Sequence, residues 1–145
     1  LGRLGVLVAL ETCIQNNNIK EIGKQIAMHI AATSPKSLNI DDLDPEVVDR
    51  ERQVLIDQAM SSGKPKEIAE KMVQGRMHKF FQEVVLNEQV SVIDGETKIK
   101  DLIKRTSLEF KTEIKIKGFK VLKLGEGVQI EESDFAAEVA ATAGL

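Results

Sequence analysis

Ala59-Met60-Ser61-Ser62-Gly63-Lys64-Pro65-Lys66-Glu67-Ile68 is the stretch that decides the fold. Gly63 suits the left-handed position that follows a helix, and Pro65 suits the first position of the next one. Upstream, Val47, Val48, Leu55, Ile56 and Ala59 recur at three-to-four-residue spacing, which predicts a helix to about Met60. Asp44-Pro45 marks its start, with Asp44 as N-cap and Pro45 at the first helical position. Downstream, Ile68, Met72, Val73, Met77, Phe80, Phe81, Val84 and Val85 line one side of a second helix. So short a turn forces the two helices antiparallel, so residues 38–86 read as a coiled-coil-like hairpin.

Around the hairpin the pattern is mixed. Leu4-Gly5-Val6-Leu7-Val8-Ala9-Leu10 is continuous and partly β-branched, which predicts a strand covered on both faces. Asn18, with Glu21 three residues on, predicts a capping box for a helix over 19–33 that carries Ile19, Ile22, Ile26 and Ile30. Thr97 to Arg105 reads as a short helix. Phe110, Thr112, Ile114 and Ile116 alternate with charged residues, as in a half-exposed strand. Phe119, Val121, Leu122 and Leu124 continue toward a second strand, with a turn or a bulge at Gly118. Ser133 or Asp134 caps a last helix from Phe135 to about Ala143. The expected class is α+β: a small antiparallel sheet packed with helices, an inserted antiparallel helical hairpin and a C-terminal helix.

Composition limits the function. The chain has 145 residues, net charge −3, no Trp, no Tyr and five Phe. A generally basic nucleic-acid binder and an aromatic stacking platform are both disfavoured. Nine Lys/Arg stand against three Asp/Glu between Lys98 and Lys123, whereas the chain beyond Leu124 holds five acids and no base. The longest apolar run, Leu4 to Leu10, is far short of the roughly 20 residues that span a bilayer. No signal peptide is visible, and the single cysteine, Cys13, cannot form an internal disulfide, so a reducing, cytoplasmic setting is expected. Leu1 stands where an initiating Met would, which suggests that residues precede it.

A reaction centre does not emerge. His29 and His78 lack metal-ligand spacing with Cys13. His29 falls about 20° from Ile22 on a helical wheel, so a partly buried or surface ring is expected. Gly125-Glu126-Gly127 lacks the third glycine of a dinucleotide loop, and Gly63-Lys64 lacks the upstream glycine of a phosphate loop. Asp41, Asp42 and Asp44 do not form a calcium loop. No catalytic residue, metal or cofactor is expected, and the chain reads as a non-enzyme.

The run Gly63-Lys64-Pro65-Lys66-Glu67-Ile68-Ala69-Glu70-Lys71-Met72-Val73-Gln74-Gly75-Arg76-Met77 resembles the hairpin signature of bacterial elongation factor Ts. So do Arg3-Leu4-Gly5-Val6-Leu7-Val8, Ile26-Ala27-Met28-His29-Ile30-Ala31-Ala32 and Asp134-Phe135-Ala136-Ala137-Glu138-Val139-Ala140-Ala141. The blocks follow the family's order and reach both ends of the chain, but cover only the C-terminal half of the family's length. The resemblance implies a translation elongation factor, the guanine-nucleotide exchange factor that binds elongation factor Tu and promotes GDP release. It implies a core subdomain at 1–37 and 87–130, the inserted hairpin at 38–86 and a C-terminal module at 131–145. Phe135, Val139, Ala136 and Asp134 are then the candidate partner-binding residues, with Phe135 and Val139 on one helical face.

Departures from the family pattern matter. Its Thr-Asp-Phe-Val motif, its N-terminal module and first core subdomain, and a histidine just before Arg3 have no counterpart here. Extra residues fall around Glu11–Asn17 and Lys111–Lys120. Exchange by this chain alone is therefore expected to be weak. A second reading is a dimerisation or structural module that forms a homodimer without exchange activity of its own. An RNA-binding hairpin is disfavoured, because acids nearly balance Arg50, Arg52, Lys64, Lys66, Lys71, Arg76 and Lys79; neither direct nucleic-acid contact nor membrane contact is expected.

Overall fold

The computed structural model describes residues 2–63 and 65–127. Strand β1 (Leu4–Thr12) leads into helix α1 (Asn17–Thr33). The hairpin follows as α2 (Pro45–Ser61) and α3 (Lys66–Val84). Helix α4 (Ile99–Glu109) and strand β2 (Ile114–Lys123) complete the order. Among the described residues β1 and β2 form a two-stranded antiparallel sheet, with Leu4 opposite Lys123 and Thr12 opposite Ile114. The α+β class holds. The expected C-terminal helix lies outside the described residues.

One face of the sheet is apolar at alternate positions. Val6, Val8 and Leu10 of β1 join Ile116, Phe119 and Val121 of β2 against Ile26 and Ile30 of α1, Leu86 and Ile99. This alternation is the period of a pleated strand, and burying that face supplies most of the driving force for folding. The other face stays open among the described residues: Leu7 is 66% exposed and Leu122 57%. The strand expected to be covered on both faces is thus covered on one. Leu7 and Ala9 are apolar enough to hide the alternation in the sequence.

Local chemistry sets the helix ends. Asn16, not Asn18, caps α1, and its Oδ1 accepts from the Ile19 amide at 2.8 Å. The helix thus starts two residues early, and the box with Glu21 is not the cap. Asp44 caps α2 as expected, its Oδ1 accepting from the Glu46 amide at 2.9 Å. Gly63 takes φ +67° in the turn. Asp42 holds the preceding turn by accepting from both the Asn39 amide and its side-chain nitrogen at 2.9 Å.

The region expected as two strands is one. Helix α4 runs on to Glu109, so Phe110 is its C-cap and not a strand residue. Thr106 and Ser107 sustain this last turn by donating to the carbonyls of Leu102 and Ile103. Lys111 at φ +49° then reverses the chain. In β2, Ala9 faces Gly118 and Leu10 faces Ile116, which leaves Lys117 as the extra residue of a bulge.

The two legs of the hairpin are tied at their base. The Lys36 amide donates to the Val84 carbonyl at 2.8 Å, and the Leu86 amide donates to the Ser37 carbonyl at 2.9 Å. Asn87 Nδ2 adds a 2.8 Å bond to Asn39 Oδ1. Leu55, Ala59, Ala69 and Met77 are buried between the helices. The two small alanines let the backbones approach closely.

Candidate functional site

Three features of the described residues have the makings of a site. The first is the open face of the sheet. Gly5, Leu7 and Ala9 share this face with Gly118, Lys120 and Leu122, and Leu124 stands exposed beyond the end of β2. Small residues at the centre make a shallow floor, and the leucines project from it. At the far end Lys117 Nζ lies 3.1 Å from Glu11 Oε2. Leu7 and Leu122 are left exposed on this face, with Lys120 between them.

The second is a groove along the hairpin, with a volume of about 1210 Å³. Ile56, Val73, Met77 and Phe81 form its floor, and Arg52, Lys66 and Glu70 stand at its rim. Phe80 and Phe81 pack ring to ring, with centroids 5.7 Å apart. Arg76 Nη1 reaches across to Gln58 Oε1 at 2.8 Å.

The third is a buried polar cluster where α1 meets the end of α3. His29 is 1% exposed, so it is core and not the partly buried or surface residue expected. Its Nε2 lies 2.9 Å from Gln89 Oε1, and its Nδ1 accepts from the Val92 amide at 3.2 Å. Burial pushes the ring below its ordinary value, and the bond to Gln89 opposes that only in part. Nearby, Glu88 takes Lys98 at 3.0 Å and Lys100 at 2.7 Å. Lys100 and then Lys98, bonding to its carboxylate, hold Glu88 below the usual range.

Among the described residues no group of three or more His, Cys, Asp or Glu could hold a metal ion. Cys13 is exposed. Among the described residues no helix is long and apolar enough to cross a membrane. The partner-binding candidates Phe135, Val139, Ala136 and Asp134 lie outside the described residues. Sequence reasoning missed the role of Gln89. Its partner is sixty positions away, and a buried amide has no periodic signature.

The α+β core with its helical hairpin and exposed apolar faces sets the class of fold. Comparison with known proteins makes this particular. The family model described as Elongation factor TS matches residues 1–126. Elongation factor Ts of Rhodospirillum centenum is 54% identical over 144 residues, covering 99% of this chain and 47% of that protein. The factors of Rhodospirillum rubrum and Gluconobacter oxydans are 52% and 51% identical, and 46% of each is covered. The chain belongs to the elongation factor Ts family, and it spans about half the length of the curated relatives it matches.

Proposed function

We propose that the chain is the elongation factor Tu-binding half of a guanine-nucleotide exchange factor and acts in translation in the cytoplasm. The observation that carries this reading is the family match through residues 1–126. Exchange needs no covalent step. A factor that binds nucleotide-free elongation factor Tu more tightly than the loaded form must, by linkage, weaken nucleotide binding by the same factor. The contact is protein to protein, with no nucleic acid between.

In this reading the division is 1–37 with 87–130, 38–86 and 131–145. Phe135 and Val139, with Ala136 and Asp134 beside them, dock the C-terminal helix on the partner. Burying both apolar side chains supplies roughly 3–5 kcal/mol before ordering costs. Without the Thr-Asp-Phe-Val motif, exchange by this chain alone is weak. A pull-down with purified elongation factor Tu, with and without excess GDP, tests the partner; capture that GDP abolishes is expected, and no capture in either condition refutes it. Stopped-flow release of fluorescent GDP tests the second part, and full-length rates from this chain would overturn it.

The exposure of Leu7 and Leu122 favours a second reading, self-association through the open sheet face. Sedimentation across a range of concentrations separates a dimer from a monomer.

A further inference from the structure

Both nitrogens of the His29 ring are occupied, and this fixes its tautomer. Nδ1 accepts from the Val92 amide, so it carries no proton. Nε2 therefore holds the proton and donates to Gln89 Oε1 at 2.9 Å. Gln89 is itself immobilised. Its Nε2 donates to the Glu83 carbonyl at 2.7 Å, and its own carbonyl accepts from the Ile99 amide at 3.0 Å. Thr33 Oγ1 lies 3.0 Å from Gln89 Oε1. The Gln89 side of the ring is thus anchored to α1, α3 and α4.

The Nδ1 side holds something lighter. Residues 90–97 form a loop closed on itself by the Ser91 amide on the Thr97 carbonyl and the Gly95 amide on the Ser91 carbonyl, both at 2.8 Å. Val90, Val92 and Ile93 are exposed on it. The bond from the Val92 amide to Nδ1 is a polar tie from this loop to a residue of the core.

We propose that neutral His29 is the catch that holds the 90–97 loop against α1, and that protonation at Nδ1 releases the loop while the rest of the fold stays closed. The lone pair that receives the Val92 amide is the one that takes the proton. Once protonated, Nδ1–H faces Val92 N–H, donor against donor, in a partly buried site. The opposite bond, from Nε2–H to Gln89, survives protonation, because a charged imidazole donates from both nitrogens. The effect is therefore one-sided.

The charged groups around the ring do not rescue the cation. Glu83 contributes its carbonyl to Gln89 rather than its carboxylate. Glu88 is held by Lys98 and Lys100. Asp94 is turned into its own loop, accepting from the Glu96 and Thr97 amides at 3.2 and 3.1 Å. Glu96 is exposed on the loop and Lys98 follows it, while on α1 the Thr33 hydroxyl lies at Gln89 Oε1. Burial, which disfavours the charged ring, is the largest influence on His29. The surface that presents Val90, Val92 and Ile93 is in this way coupled to one proton.

Amide hydrogen exchange followed by NMR, with the His29 ring titrated in the same samples, tests the proposal on the chain as it is. Val92 protection, corrected for intrinsic rates, should fall about tenfold more than Ile30 protection between about pH 7.5 and pH 5, the order expected when one partly buried hydrogen bond is lost. His29→Gln keeps an amide donor and acceptor but cannot titrate, and its Val92 protection should be flat over that range. Three results would each overturn the proposal: Val92 tracking Ile30, Val92 unchanged while the ring protonates, or a ring that stays neutral throughout. The wild-type comparison stands without the variant, should His29→Gln not fold.

Discussion

A Cβ placed on Gly23 would sit 3.2 Å from Leu10 Cδ1. Helix α1 and strand β1 therefore approach closely enough that any side chain at position 23 presses on Leu10. Alanine at position 23 is about 1 kcal/mol better than glycine in a helix, and the atom it meets is the movable end of a half-buried leucine. We expect Gly23→Ala to lie within about 0.5 kcal/mol of wild type, since small strain offsets the propensity gain. Gly23→Val adds two more carbons to the same contact and should cost about 1–3 kcal/mol. Urea unfolding of both variants checks the pair, and a neutral valine would show that the contact is loose.

Two backbone positions should respond in opposite directions. Gly63 sits at φ +67° in the hairpin turn and Lys111 at φ +49° before β2. A left-handed conformation costs an L-residue with a side chain about 1–2 kcal/mol. Gly63→Ala should destabilise by about 1 kcal/mol, and Lys111→Gly should stabilise by about 0.5 kcal/mol after the entropy of glycine is subtracted. Thermal melts of the two variants, one lower and one higher than wild type, are the expected outcome.

Stability should fall with acid in two steps. His29 sits below its ordinary 6.5 when folded, so the unfolded chain binds its proton first. That contribution is complete above pH 6.5 and is lost as pH falls toward the lowered folded value. Glu88 sits below 4.5 when folded, so its contribution is complete above pH 4.5 and is lost through its own lowered value. Denaturant titrations at a series of pH values should show both slopes. High salt should flatten the lower step, which depends on Lys98 and Lys100, and leave the upper one.

The open sheet face gives a test that separates folding from association. Leu7 lies opposite Lys120. A glutamate there gains a cross-strand partner worth about 0.2–1 kcal/mol. Leu7→Glu should therefore leave the fold of the isolated chain nearly unchanged. If the face joins two copies, the same substitution should weaken the dimer at least about tenfold, because an interface core tolerates a buried charge poorly. Sedimentation equilibrium beside a thermal melt reads both quantities.

The hairpin was legible in the sequence because its signals are local. Asp44 and Pro45 start one helix, Gly63 ends the turn, and the apolar spacing does the rest. The strands were harder. Leu7 and Leu122 are apolar on the outward face, so periodicity alone could not tell a strand covered on one face from a strand covered on both. Phe110 continued the alternation of β2 by accident and belongs to α4. The polar cluster was out of reach for another reason. His29 and Gln89 meet only after α1, the hairpin and the segment at 86–89 have packed, and no spacing rule joins residues that far apart. The family blocks, in contrast, could be read directly, since half-identical sequence carries more information than any single physical pattern.

The pairing of β1 with β2 places the Leu124 amide 2.9 Å from the Arg3 carbonyl, at the same edge of the sheet where both strands lead outward. A pull on the chain at those two points would therefore peel the ladder apart one rung at a time and never load its bonds together. The hairpin, tied off separately at Lys36 and Leu86, would feel none of that force until the last rung at Thr12 and Ile114 had opened. Mechanically the molecule yields first where its two strands meet.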